Sequence, residues 1–314
     1  MTISQQADTD TIMNLSASIL KAPPLHFVII GAQKAGTTTL HEVLSSHPML
    51  AMPAGKERPY FSEVNSGSWD QFVASAYNQD IEGTLLGKST PQYLNTPGTA
   101  GRIYAANPEV RIIVILRNPS ERTYSHFRMC LRRGQLDSDF DKHVRAWLKP
   151  DALANARMLP HTRESEAHCC VVWSEYSRML NTYLETFPNS SILVTFTEQL
   201  AENPHDTFKA ILQHLGLDDH WESELINRQF HVGGSQRRIA LPKSLKSIPG
   251  VRPLVKLAFK ALPNDLAYRY MMWNIKPNRG SLAEDFPAAK AALDAHFSDQ
   301  ARWIMSHFGV TPPW

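Results

Sequence analysis

The stretch GAQKAGTTTL, residues 31–40, has the outline of a phosphate-binding loop with its lysine displaced. In the Walker A pattern G-x-x-x-x-G-K-[ST], the lysine follows the second glycine and reaches the outer phosphates. Gly31 and Gly36 keep that spacing, but Thr37 stands in the lysine slot and Lys34 lies inside the loop. Backbone amides of such a loop, with a helix N-terminus behind it, wrap an anion, and Thr37, Thr38 and Thr39 add hydroxyl donors. A phosphorylated ligand is expected there, of a kind that wants its cation between the glycines.

Working outward, LHFVII (25–30) is a short apolar run ending at Gly31, which reads as a buried strand. Behind the loop, Leu40, Val43 and Leu44 recur at helical spacing until His47-Pro48 stops the pattern. Similar strand-then-helix units follow: TLLGK (84–88), VRIIVILR (110–117) with a helix opening at Asn118-Pro119, and SSILVTF (190–196) with a helix near Asn203-Pro204. This alternation predicts a doubly wound α/β fold with a mainly parallel sheet and right-handed crossovers. Residues 1–24 read as a flexible tail and 25–314 as a single domain. The last third is basic: Arg228 to Arg279 holds eleven Lys and Arg against one acid, Asp265. Within it Val251 to Leu262 alternates apolar residues with Lys256 and Lys260, a basic helical segment (about 240–280) that suits a membrane surface, an acidic partner or a solvated face.

Composition narrows the class. A formal net charge of +2 over 314 residues gives no global field for nucleic acid, and 43% hydrophobic residues suffice for a large core. The N-terminus lacks the basic start and apolar run of a secretory signal, no stretch approaches a membrane span, and Cys130, Cys169 and Cys170 suit a reducing compartment. A cytoplasmic protein is expected. His168 beside the two adjacent cysteines lacks any C-x-x-C spacing, so ordinary thiols and no metal site are expected.

A P-loop kinase or ATPase holds Mg²⁺ with an aspartate at the end of a second apolar strand. The second strand here ends in Arg117-Asn118. An arginine in that place neutralises the nucleotide directly, which argues for a donor without a triphosphate. A kinase or ATPase, and a non-catalytic nucleotide- or RNA-binding protein, are the alternatives.

These residues resemble the sulfotransferases that use 3′-phosphoadenosine 5′-phosphosulfate (PAPS), whose loop carries its lysine between the glycines. The resemblance continues in Arg117 with Ser125 eight positions later, and through GKERPYFSE (55–63), GKSTPQYL (87–94), HVGGSQRR (231–238) and GVTPPW at the end. It is strongest with bacterial members and the glycosaminoglycan branch, and implies a P-loop-like three-layer fold, a central parallel sheet flanked by helices. By that resemblance Lys34 would stabilise the leaving oxygen, Ala35 to Thr39 would hold the 5′-phosphate, and Arg117 and Ser125 the 3′-phosphate. Gly233, Gly234, Ser235 and Arg237 would close the clamp, with adenosine 3′,5′-bisphosphate (PAP) as product and no metal required. Glu57, in a K-E-x-x-F-F-like segment, would be the general base, with His41 as substitute because imidazole titrates near neutrality. Lys88 replaces an acid of the family's G-E-x-[ST]-P-x-Y pattern and is a candidate for the sulfuryl group or an anionic acceptor. Arg122 and Arg128 are expected on a solvated helix face, and Trp173 and Tyr176 in the core. The acceptor would be a small molecule, glycolipid or saccharide, with a carrier protein or membrane possible at 240–280 and no nucleic acid.

Overall fold

The computed structural model describes residues 22–62, 67–78, 80–227 and 281–314. Almost all of the tail, the Gly233–Arg238 loop and the basic 240–280 segment lie outside them.

Among the described residues five parallel strands form the sheet: β1 (Phe27–Gly31), β2 (Leu50–Ala51), β3 (Leu85–Ser89), β4 (Arg111–Leu116) and β5 (Ile192–Phe196), in the order β2-β3-β1-β4-β5. Helices cover both faces, as parallel strands require: α1 (Thr37–Leu44), α2 (Trp69–Ala76), α3 (Thr99–Ala106), α4 (Pro119–Arg132), α5 (Phe140–Trp147), α6 (Pro150–Met158), α7 (Tyr176–Leu184), α8 (Thr197–Glu202), α9 (Pro204–Leu215), α10 (Leu282–Asp285), α11 (Pro287–His296) and α12 (Gln300–Phe308). This is the α/β architecture expected from the sequence, with the four anticipated strands within a residue or two. The two-residue β2 and several connecting helices carry no clear sequence signal.

β1 is buried along its whole length, and β4 from its second residue. Their Ile, Val and Phe side chains form the main core with Leu40, Val43, Ile211 and Leu212 from the covering helices. Each such side chain stabilises the fold by about 1.5–3 kcal/mol, which ties the loop after β1 to the most rigid part of the molecule. A second cluster joins Tyr124, Phe127, Phe140, Val144 and Trp147 to Leu282, Leu293 and Phe297. It fixes the outer side of α4 against the C-terminal helices.

The chain leaves β1 towards β3 on one side and reaches β4 and β5 on the other. A crevice is therefore expected where strand order reverses, beyond the carboxyl end of β1. The loop at 31–39, Glu57 and Arg117 lie near that edge, close enough for Arg117 and Glu57 to act on Lys34.

Candidate active site

The loop after β1 is held from both sides. Ala32 N–H donates to Ile115 O at 2.7 Å, and Thr197 Oγ1 donates to Ala35 O at 2.6 Å and to Leu116 O at 3.0 Å. A Cβ on Gly31 would come within 2.8 Å of Leu94 Cβ, so only glycine fits that close approach. Gly36 is left-handed at φ 101° and N-caps α1 without any side-chain cap. The first-turn amides of α1 therefore face the crevice with the helix dipole behind them, the arrangement that binds a phosphate. Lys34 is also left-handed, at φ 74°, an uncommon conformation for a side-chain-bearing residue. Burial lowers the pKa of its amine to about 8, helped by Arg132, Arg117 and Arg133, with Glu57 opposing. A half-desolvated ammonium in a field of guanidinium groups is a site that awaits anionic charge.

Arg117 follows β4. Tyr176 Oη donates to its carbonyl at 2.8 Å, and Asn118 N–H donates to Glu198 Oε1 at 3.0 Å. The Asn118 side chain caps α4 by accepting from Ser120 and Glu121 N–H, with Pro119 at the first helical position, as its sequence signature predicts. The Arg117 guanidinium pairs with Glu121 at 3.2 Å, and Ser125 lies one turn beyond Glu121 on the same partly exposed face.

Glu57 lies in a loop fastened to β3 and to the 3₁₀ turn Pro91–Asn95. Its N–H donates to Ser89 O at 3.2 Å, and Gln92 Nε2 donates to its Oε2 at 3.3 Å. Beyond it, the Tyr93 hydroxyl accepts from Tyr60 and Phe61 N–H at 3.1 Å each. Lys56 Nζ donates both to Glu57 Oε1, at 2.8 Å, and to Thr37 Oγ1 on the phosphate loop, at 3.1 Å. Burial raises the Glu57 pKa, but Lys56, Gln92 and Lys34 outweigh it and hold the carboxyl below its ordinary value. The side chain stays ionised at neutral pH.

Other expectations change. Arg122 is wholly buried rather than solvated: its guanidinium donates to Ser174 Oγ, Gln33 O and Cys170 O, stitching α4 to the phosphate loop. Residues 170–174 supply two of the acceptors that bury this guanidinium, which helical periodicity does not reveal. Arg128 remains on the outer part of α4, with its guanidinium 5.6 Å from the Tyr124 ring. His41 is buried, and burial with Lys56 and Lys88 nearby pushes its pKa to about 4, away from the neutral titration that recommended it as a base. Lys88 is fully buried; its amine donates to Arg58 O and lies 4.5 Å from the Phe72 ring centroid, and burial followed by Arg58 lowers its pKa to about 7. Trp173 and Tyr176 are core residues, as expected, and the three cysteines are buried free thiols. The ligating atoms of His126, Cys130 and Cys170 lie within 4.8 Å of one another, a grouping that the sequence, with its attention on His168, does not signal.

Several buried polar atoms around the crevice have no hydrogen-bond partner among the described residues: Gln33 Oε1, Ser89 Oγ, Gln92 Oε1 and Glu198 Oε2. Such atoms are uncommon in a folded interior, and those beside the loop are open to a polar ligand, although Gln135, His214 and Trp314 carry others elsewhere.

The family model described as the sulfotransferase domain matches residues 24–232, well over half of the chain. The chain belongs to this sulfotransferase family. Its similarity to a membrane-associated sulfotransferase, kil1, of Dictyostelium discoideum is 31% identity over 125 residues, 39% of this chain and 26% of that protein. To the human bifunctional heparan sulfate N-deacetylase/N-sulfotransferase 2 it is 26% over 208 residues, 61% of this chain and 22% of the other. The chain thus spans about a quarter of the length of these curated relatives. Among solved structures, a sulfotransferase from Alicyclobacillus acidocaldarius aligns over 82% of this chain and 98% of its own, with a TM-score of 0.54 and 22% identity, which shows a shared fold. Within this sulfotransferase chain, Lys56 links the loop residue Thr37 to Glu57, and Arg117 adds to the charge around Lys34, whereas Lys88 is buried against Arg58 O and the Phe72 ring. To Lys56 the sequence reading gives no role. No helix among the described residues is long and apolar enough to cross a membrane.

Proposed function

We propose that this protein transfers the sulfuryl group of PAPS to a hydroxyl, less readily an amine, of a small-molecule, glycolipid or saccharide acceptor, by in-line displacement without a metal. The observation that carries the reading is the pairing of an α1 N-terminus without a side-chain cap and a half-buried Lys34 with Arg117 just past the end of the adjacent strand β4. The amides of Gly36 to Thr39 take the 5′-phosphate, the Ala35 N–H being already given to Ala32 O at 3.1 Å, and Arg117 with Ser125 takes the 3′-phosphate, where a guanidinium supplies two parallel charged hydrogen bonds. The unpartnered polar atoms around the crevice fit a ligand of that polarity.

In the reaction an acceptor oxygen attacks sulfur as the bond to the bridging oxygen of the 5′-phosphate breaks. Glu57 takes the acceptor's proton, and Lys34 neutralises the charge that gathers on the leaving oxygen. Positioning and charge stabilisation dominate in a loose transition state of this kind, and one such donor is worth about 10²- to 10³-fold in rate. Residues 233–237 would close over the nucleotide, and the 240–280 segment would meet an acidic or carrier-protein partner or a membrane surface; both rest on sequence alone. So do the cytoplasmic location and the assignment of residues 25–314 to one domain.

Radiolabelled PAPS offered with a panel of alcohols, glycolipids and oligosaccharides in excess EDTA tests the reading. Label should pass to an acceptor with stoichiometric PAP, and Lys34→Ala should abolish it. Turnover that needs Mg²⁺, or nucleoside triphosphate hydrolysis instead, contradicts it.

A further inference from the structure

The ion pair that makes Glu57 look like an ordinary surface carboxylate has a second end. Lys56 Nζ lies 2.8 Å from Glu57 Oε1 and 3.1 Å from the hydroxyl of Thr37, the first residue of α1. Its side chain is only 14% exposed, against 43% for Glu57, so the ammonium is held in the wall of the crevice between base and phosphate cradle. Gln92 holds the other carboxylate oxygen, and Glu57 itself takes a left-handed backbone at φ 65° with its N–H tied to Ser89 O. The pair is thus fixed at the lip of the anion site rather than free in solvent.

We propose that Lys56 is a second catalytic cation and a latch on the base. Without donor nucleotide it holds the Glu57 carboxylate, whose proton affinity is thereby depressed. When PAPS seats on the loop, its sulfuryl oxygens compete for the same ammonium. Lys56 turns to them, and Glu57 is left with Gln92 and a higher proton affinity, which makes it a better base. The acceptor proton then passes to Glu57 Oε1, the acceptor oxygen bonds to sulfur, and the electron pair of the broken S–O bond leaves on PAP. Base activation is so coupled to donor occupancy. This inference rests on the PAPS reading above.

Calorimetric titration of wild type and Lys56→Met with PAPS and with PAP, without acceptor, tests it. Lys56→Met should weaken PAPS about tenfold or more, the loss of one charge-assisted hydrogen bond, and move PAP less than about threefold. In ¹³C-glutamate NMR the Glu57 carboxyl should titrate at higher pH with PAPS bound than with PAP bound, and in Lys56→Met it should titrate higher than in wild type without any nucleotide. Equal weakening of both nucleotides, unchanged PAPS affinity, or a Glu57 titration indifferent to the sulfuryl group overturns the latch. A wild-type protein that binds neither nucleotide overturns the sulfotransferase reading itself, and the latch with it.

Discussion

Nucleotide binding should take up a proton, and Lys34 should be its destination. In the free protein burial and three arginines hold the Lys34 amine at about 8, against an ordinary 10.5. The phosphates of PAP bring negative charge that favours the ammonium, so the value in the complex rises and binding is linked to protonation. The sign follows: affinity is flat below the free-protein value and falls as pH rises through it, until the value in the complex is reached. With the free amine near 8, about one site in ten is neutral at pH 7 and about nine in ten at pH 9, so the Kd for PAP should weaken about tenfold between them. The PAP phosphates are already ionised across this window, since their second ionisation lies near 6. Calorimetry at pH 8 in two buffers of different ionisation enthalpy should give uptake of about half a proton. Lys34→Met should show neither the uptake nor the steep pH dependence, which separates Lys34 from the buried Lys88, lowered to about 7. Equal proton uptake in wild type and Lys34→Met would refute the placement of Lys34 against the nucleotide.

Three further outcomes are expected. PAP should raise Tm well above the shift given by AMP at equal concentration, and Arg117→Ala should erase the difference; equal shifts in wild type remove the 3′-phosphate assignment. Glu57→Gln should lower kcat about 10²- to 10⁴-fold with PAP affinity nearly intact, measured by single-turnover transfer; unchanged kcat sends the search for the base elsewhere. Arg122→Met should lower stability to urea by more than about 2 kcal/mol, because Gln33 O, Cys170 O and Ser174 Oγ lose a buried donor. Wild-type stability in that variant would show that the buried guanidinium is not structural.

Most of the fold and half of the site could be read from the chain. Buried parallel strands tend to be continuous apolar runs, so β1, β4 and β5 announce themselves, β3 (LLGKS) shows only its Leu-Leu start, and the Asn118-Pro119 signature fixes where α4 starts. Gly31, Lys34, Gly36 and Arg117 are legible because each lies at the end of a strand or in the turn that leads from it into a helix, where topology converts sequence position into spatial position. Other features depend on what packs against them. Arg122 is charged and sits on a helix, so sequence assigns it to solvent; two of the acceptors that bury it come from residues 170–174, brought there by the fold. His41 recommends itself by an intrinsic pKa that burial removes. Lys88 looks like a site cation, yet its amine is spent on Arg58 O and aromatic rings. Lys56 is the converse case: its sequence context gives it no role, and its contact with Thr37 exists only in the fold. Left-handed backbone at Lys34 and Glu57 is likewise invisible in sequence, where glycine is the usual sign of it.

The most direct measurement is a crystal structure with PAP, grown in EDTA. The account predicts the 5′-phosphate on the amides of residues 36–39 within reach of Lys34, and the 3′-phosphate on Arg117 and Ser125. PAP bound elsewhere, or bound at this crevice only when a divalent ion is supplied, would contradict it.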